Sequence, residues 1–259
     1  MANQFYREQF ELGAHDVDAN NNVRPSVIAR LLQETANHHM RDRKPTYYEL
    51  FFQGKSYILI RFSCQIKEQL HPYDRVEVDT WTSEGRGATF KRSYLMSLNG
   101  IEVARAYAEW AVVDLNTGRI CRTDEIDSEN YEKGEPIDMV IPSKFRFPGE
   151  DNWELCGSHI VGYSECDMNL HMNNTNYQDI LWNHIPDVQS KKLTGFTIRF
   201  MAEAPLGGEL IIYRQKSEVV IDDGCGGEES WYFKSLIGDK INVEAILNVA
   251  KTDRIVEWG

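Results

Sequence analysis

Long hydrophobic runs are missing from this 259-residue chain, and so is any excess of positive charge. No apolar stretch approaches the roughly 20 residues that a membrane-spanning helix needs, so no spanning segment is expected. Lys and Arg number 28 against 40 Asp and Glu, a formal net charge of −12. That balance argues against electrostatically driven binding to nucleic acid or to an anionic membrane. Cysteine is sparse: Cys64, Cys121, Cys156, Cys166 and Cys225 are odd in number, scattered, and never form a C-x-x-C pair. Such spacing fits neither a disulfide framework nor a zinc ribbon, and reduced thiols follow. A G-x-S-x-G elbow, a P-loop and a G-x-G-x-x-G turn opening a helix are absent as well. Serine-hydrolase, nucleoside-triphosphate and dinucleotide chemistry lose support. The start, Met1-Ala2-Asn3-Gln4-Phe5-Tyr6-Arg7, has neither the basic opening nor the apolar run of a secretory signal, and a cytoplasmic location is expected.

What the chain does contain is a short polar motif present twice. Asp167-Met168-Asn169-Leu170-His171-Met172 echoes Asp18-Ala19-Asn20-Asn21-Asn22-Val23 at a constant offset of 149 residues. Repeats of this kind dictate architecture, and two related halves of ordinary domain size are expected. Each motif leads into a helical pattern. In the first half Pro25 suits a first helical turn, where its missing N–H has no partner to lose, and Val27, Ile28, Leu31, Leu32, Thr35 and Ala36 recur at helical spacing. In the second, Asn173 or Asn174 suits a cap, and Tyr177, Ile180, Leu181 and His184 share one face before Pro186.

Runs rich in β-formers follow each helix: 57–66, 75–81, 89–98 and 102–113, then 194–201, 209–215, 218–221, 229–236 and 242–249, with a further strand at 5–12. Short turns between consecutive strands imply antiparallel pairing. The expected unit is therefore α+β, a sheet curling around one long helix, present twice. Charge, turn formers and Pro136, Pro142 and Pro148 between the halves mark a linker. The division is 1–125, linker 126–157, and 158–259.

His171 lies between strand and helix among Asp167, Asn169, Asn173 and Asn174. Alternate residues of such a run share a side, and amides opening a helix suit a developing negative charge. Asx turns explain the asparagines equally well. The first copy has Asn22 where the second has His171, so the turn by itself does not require histidine. Cys166 is the obvious thiol nucleophile, yet adjacent strand residues face opposite sides, which directs it away from Asp167, Asn169 and His171. His38-His39 suits a helix end and completes no metal signature. Arg41, Arg43 and Lys44 read equally as an ordinary basic helix end.

At Asp167-x-Asn169-x-His171-Met172-Asn173-Asn174-x-x-Tyr177 the chain resembles the acyl-acyl carrier protein thioesterases of bacteria and plant plastids. The likeness extends to Arg24-Pro25-Ser26 through Leu31-Leu32-Gln33-Glu34, to Asp79-Thr80-Trp81 and to Ala108-Glu109-Trp110-Ala111-Val112. It implies a double hotdog, two antiparallel sheets each wrapped around a long central helix, with the first domain shaping an acyl pocket and the second hydrolysing a fatty acyl thioester. The implied catalytic set is Asp167, Asn169, His171 and a strand glutamate about thirty residues on, which falls on Glu203. Plant members often carry a cysteine directly after that glutamate, whereas Ala204 stands here.

On that resemblance Glu203 acts as general base or as covalent nucleophile, and the backbone amide of Asn173 receives the oxyanion. No metal or organic cofactor is implied. The implied partner is acyl carrier protein, itself acidic, so Arg24, Arg30, Arg41, Arg43 and Lys44 are the expected docking residues, with binding that weakens as salt rises. Hydrolysis of acyl-CoA or aryl-CoA, hydration of an enoyl thioester, non-catalytic acyl binding and a homodimer stay open on sequence.

Overall fold

The computed structural model describes residues 5–139, 152–221 and 224–252. The first half runs β1 (Tyr6–Glu11), α1 (Pro25–Asp42), α2 (Tyr47–Phe52), β2 (Lys55–Ile66), β3 (Arg75–Arg86), β4 (Thr89–Leu98) and β5 (Ile101–Asp114). The second runs β6 (Glu154–Ile160), α3 (Tyr177–Trp182), β7 (Lys191–Phe200), β8 (Glu209–Lys216), β9 (Glu229–Ile237) and β10 (Lys240–Lys251).

These strands form one ten-stranded antiparallel sheet, in the order β1-β3-β4-β5-β2-β7-β10-β9-β8-β6. Each half contributes the same internal order, and the halves meet where β2 pairs with β7, from Arg61 opposite Arg199 to Gln65 opposite Gly195. The two separate sheets expected from sequence are thus a single one. Joining β2 to β7 removes two edges that would otherwise expose unpaired backbone groups.

Helix α1 lies across this sheet with Val27, Ile28, Leu31, Leu32, Thr35 and Ala36 buried. Pro25 opens it, and the core it enters draws residues from both halves, including Val78, Met96, Phe196 and Phe233. The second helix departs from expectation. It has only six residues, of which Tyr177, Gln178, Leu181 and Trp182 are buried, and His184 falls outside it. Its start is delayed because the Asn173 carboxamide accepts from the N–H and hydroxyl of Thr175, holding a turn. Its end is set by Pro186, which lacks an N–H and disfavours the helical conformation at the residue before it.

Two strand expectations also change. Residues 218–221 form no strand, and Glu154–Ile160, part of which fell in the expected linker, is an edge strand paired only with β8. Its largely exposed side chains leave no apolar alternation to read. Of the remaining linker, 140–151 lies outside the described residues. Residues 126–134 are tied to the first half: Ile126 and Tyr131 are buried, and Thr82 of β3 exchanges backbone bonds with Glu132 and Gly134, both 2.9 Å. Among the described residues no helix is long and apolar enough to cross a membrane.

This segment is latched by a buried imidazole. His39, fully buried, accepts from Arg92 at Nδ1 (2.8 Å) and therefore donates from Nε2 to Glu132 (2.6 Å). Burial first, then the Arg92 charge, lowers its pKa from 6.5 to about 4, against the pull of Glu132. The unfolded chain thus binds a proton that the folded chain refuses over that window, so acidification from 6.5 to about 4 favours unfolding. Stability measured by urea denaturation should fall across it, and less steeply in His39→Gln, whose amide keeps both hydrogen bonds without titrating.

Candidate active site

A carboxylate organises the motif turn. Asp167 Oδ1 accepts the N–H groups of Asn169 (2.8 Å) and His171 (3.4 Å), while its own N–H donates to the His171 carbonyl (2.8 Å). Leu170 is thereby driven to a φ of 60°, in the left-handed region. The same scaffold recurs 149 residues earlier: Asp18 Oδ1 accepts from Asn20 (2.9 Å) and Asn22 (3.1 Å), its N–H reaches the Asn22 carbonyl (2.8 Å), and Asn21 has a φ of 62°. Since the first half builds the turn with Asp18, the geometry assigns Asp167 to holding the backbone.

The turn is zipped to the loop after β7. Met172 N–H donates to the Ala204 carbonyl (2.8 Å) and Leu206 N–H to the Leu170 carbonyl (2.9 Å). These bonds flank His171 and bring its Nε2 to 3.4 Å from a carboxylate oxygen of Glu203. Glu203 lies three residues beyond β7, in a loop and not in the expected strand. The loop is anchored by Asn242, wholly buried, whose carbonyl accepts from Met201 (2.9 Å) and whose side chain bonds to the Ala202 carbonyl and to Ser235. Sequence reading missed Asn242, because a polar residue inside a strand run carries no sign of the loop it reaches.

It also missed the counterpart of Glu203. In the first half Val23 N–H donates to the Leu70 carbonyl (2.8 Å), as Met172 does to Ala204. This equivalence sets Gln69 against Glu203, just as Asn22 stands against His171. The pair that can move a proton in the second half is a pair of neutral amides in the first. Only the bonding of the turn to its neighbour reveals this, since Gln69 and Glu203 are not 149 residues apart.

A cavity of about 840 Å³ opens beside the turn. Asp167, Met168, Asn169, Asn173 and Asn174 line one end, and most of the rest comes from the first half, namely the later turns of α1, the aromatic side chains of Tyr57, Phe90 and Trp110, and Thr123, with Ser128 and Tyr131 added by the segment that follows. His171 and Glu203 stand beside this lining, with side chains 32% and 72% exposed.

The N–H of Asn173, the expected oxyanion donor, is already spent on the Glu165 carbonyl (2.9 Å). Arg24, its counterpart, makes the same bond to Asp16 (2.9 Å), so this amide belongs to the turn in both halves. The next residue differs. Pro25 has no N–H, whereas Asn174 lines the cavity and its N–H meets no acceptor among the described residues. Cys166 packs against the core with Sγ 3.4 Å from the Gly162 carbonyl, and desolvation, then Asp167 and Glu165, push its thiol pKa up.

Each expected docking cation is engaged by a carboxylate: Arg24 with Asp179 (3.7 Å), Arg30 with Asp16 (2.9 Å), Arg41 with Asp42 (2.7 Å), Arg43 with Glu132, and Lys44 with Glu49 (2.7 Å). Of the five, Arg41 alone lines the cavity. The cluster therefore offers no uncompensated positive charge.

The family described as acyl-ACP thioesterase N-terminal domain matches residues 3–130. Over 223 residues the chain is 26% identical to oleoyl-acyl carrier protein thioesterase 2, chloroplastic, of Arabidopsis thaliana, an alignment covering 76% of this chain and 59% of that protein. Over 213 residues it is 22% identical to a palmitoyl-acyl carrier protein thioesterase, chloroplastic, of the same plant, covering 76% and 52%. The chain thus spans a little over half the length of these curated relatives. Among solved structures, an acyl-ACP thioesterase from Bacteroides thetaiotaomicron superposes with a TM-score of 0.84 at 21% identity, covering 96% of this chain and 98% of that one. A 12:0-ACP thioesterase from Umbellularia californica gives 0.73 at 16% identity, covering 96% and 95%. At these identities the likeness establishes the hotdog fold.

The turn is open to a direct test. Asp18→Ala should cost about 1–3 kcal/mol of unfolding free energy, the worth of hydrogen bonds to a charged, half-buried acceptor. Asp167→Ala should cost less, because water can replace an exposed carboxylate. Leu170→Gly should leave stability unchanged or raise it, since glycine adopts positive φ without strain. Denaturant titration of the three variants checks the order.

Proposed function

We propose that the chain is a member of the acyl-acyl carrier protein thioesterase family and that it hydrolyses fatty acyl-acyl carrier protein thioesters to free fatty acid and holo-carrier protein, ending chain elongation. On this reading the fold is a tandem of two hotdog units, the first running through β5 and the second opening with β6 at Glu154. The first shapes the acyl pocket and the second carries the chemistry. The observation that carries the proposal is the contrast at the matching turns: His171 beside Glu203 in the half whose turn lines the cavity, Asn22 and Gln69 in the half without that role.

The chemistry is undemanding at the leaving group. A thiol of pKa about 8.5 departs as thiolate without full protonation, so the site needs an activated water and a place for negative charge. Glu203 takes a proton from water as the water oxygen bonds to the thioester carbon. His171 and Asn169 orient that water and polarise the carbonyl, and Asp167 holds both through the turn. The carbonyl oxygen, now an oxyanion, is received by the free N–H of Asn174, a donor already in place before the charge develops. Collapse of the tetrahedral intermediate breaks the C–S bond, and the thiolate recovers the proton. Ala204 and the packed Cys166 leave no thiol suited to covalent attack, so alkylation of the protein should spare activity.

Three substitutions test this, each copying a residue that the first half already tolerates. His171→Asn and Glu203→Gln should each lower kcat by about 10²–10⁴-fold with the fold retained, the usual share of a general acid or base. Asn174→Pro should remove the oxyanion donor and cost about 10²–10³-fold in kcat. Released thiol from a panel of acyl carrier protein thioesters of graded chain length is the assay. A loss below tenfold removes that residue from the mechanism, and absence of thiol release from every member by the wild type refutes the reaction.

A further inference from the structure

Helix α2 turns its apolar side outward. Of Tyr47-Tyr48-Glu49-Leu50-Phe51-Phe52 only Leu50 is buried, while Tyr48, Phe51 and Phe52 are 63%, 38% and 84% exposed. Their spacing of i, i+3 and i+4 gathers the three rings on one face. Exposed apolar surface of this kind marks an interaction site.

Its location identifies what it meets. Tyr48 and Met168 both line the cavity and are both largely exposed, so they belong to its rim. The Tyr47 hydroxyl, 4.0 Å from Met168 Sδ, joins α2 to the motif turn of the other half. Leu170 and Leu206, bonded through their backbones at 2.9 Å, expose further apolar side chains at the same motif turn.

We propose that this aromatic collar is the docking surface for the protein that carries the acyl thioester. The inference rests on the function proposed above and deepens it. A thioester entering at the rim brings its carrier against the collar. The cations expected to attract an acidic carrier are each held by a carboxylate, and the chain's own charge of −12 repels it. Burial of uncharged ring surface is then the attraction at the rim. A second copy seated on the same face would stop the opening that the substrate uses, and an anionic membrane is repelled by the same net charge. One consequence reverses the expectation from sequence. With like net charges and an apolar contact, salt screens repulsion, so KM for the carrier-bound substrate falls as ionic strength rises.

The test is the double variant Phe51→Ser/Phe52→Ser of the full chain, assayed on an acyl carrier protein thioester and on an acyl-N-acetylcysteamine thioester of equal chain length. KM for the carrier-bound substrate should rise about tenfold or more, the scale of losing anchor residues at an interface. Both kcat and the small-thioester kinetics should stay as in the wild type. Phe52→Glu should raise KM further, with salt relieving part of the loss. An unchanged carrier KM overturns the docking surface while leaving the hydrolytic reading intact. A wild-type dimer in sedimentation that the double variant splits assigns the face to a second copy, and loss of binding to phosphatidylcholine vesicles at unchanged carrier KM assigns it to lipid; either overturns the proposal. A wild type that turns over only the small thioester refutes the carrier reading itself, and the collar proposal falls with it.

Discussion

The pairing of β2 with β7 is the constraint on which the rest of the molecule depends. Along five residue pairs it converts two half-sheets into one, with a buried hydroxyl pair, Ser63 and Thr197 at 3.0 Å, and the Phe62 and Phe196 rings 5.7 Å apart at the seam. The junction sets the start of α1 against α3, where Asp179 accepts from both the N–H (2.8 Å) and the hydroxyl (2.5 Å) of Ser26. It also lets Asn20 bond to the Gln189 carbonyl across the halves (2.9 Å). Without this seam the second half's turn would have no cavity beside it, because most of the lining residues belong to the first.

The two turns separate scaffold from chemistry. Aspartate acceptor, left-handed residue, bond to the next strand or loop, and the amide at Arg24 or Asn173 are common to both. What differs is the set of groups able to move a proton or receive charge: Asn22 against His171, Gln69 against Glu203, Pro25 against Asn174. A scaffold held mainly by backbone bonds tolerates such exchange, since the side chains that differ are not the ones that hold it.

The helices diverged for a related reason. Eighteen residues of α1 provide both a buried stripe and, in the later turns, a cavity wall, whereas Pro186 and the Asn173 turn cut α3 to six. The first half uses its extra length to enclose space, and the second uses its brevity to bring the turn to the surface of that space. The segment after β5, latched through Glu132 to His39 and Arg43, closes another side.

Much of this was legible in the chain itself. The 149-residue offset, the alternating and 3.6-residue patterns, and the punctuation by proline and glycine determined two related α+β halves, most of the strands and the face of α1, because each of these is a local property of backbone and side chain. Asp167, Asn169 and His171 were equally visible as one turn. Whether the sheets joined, how short α3 is, and where β6 lies were decided by tertiary structure, as edge pairing and exposure depend on partners far along the chain. The same holds for Glu203 beside His171, Asn242 beneath its loop, Gln69 as its counterpart, and the pairing of Arg24, Arg30, Arg41, Arg43 and Lys44 with acidic neighbours. A charge or an amide in a sequence carries no mark of what it will face, because hydrogen bonds and ion pairs act over a few ångströms of space and not along the chain.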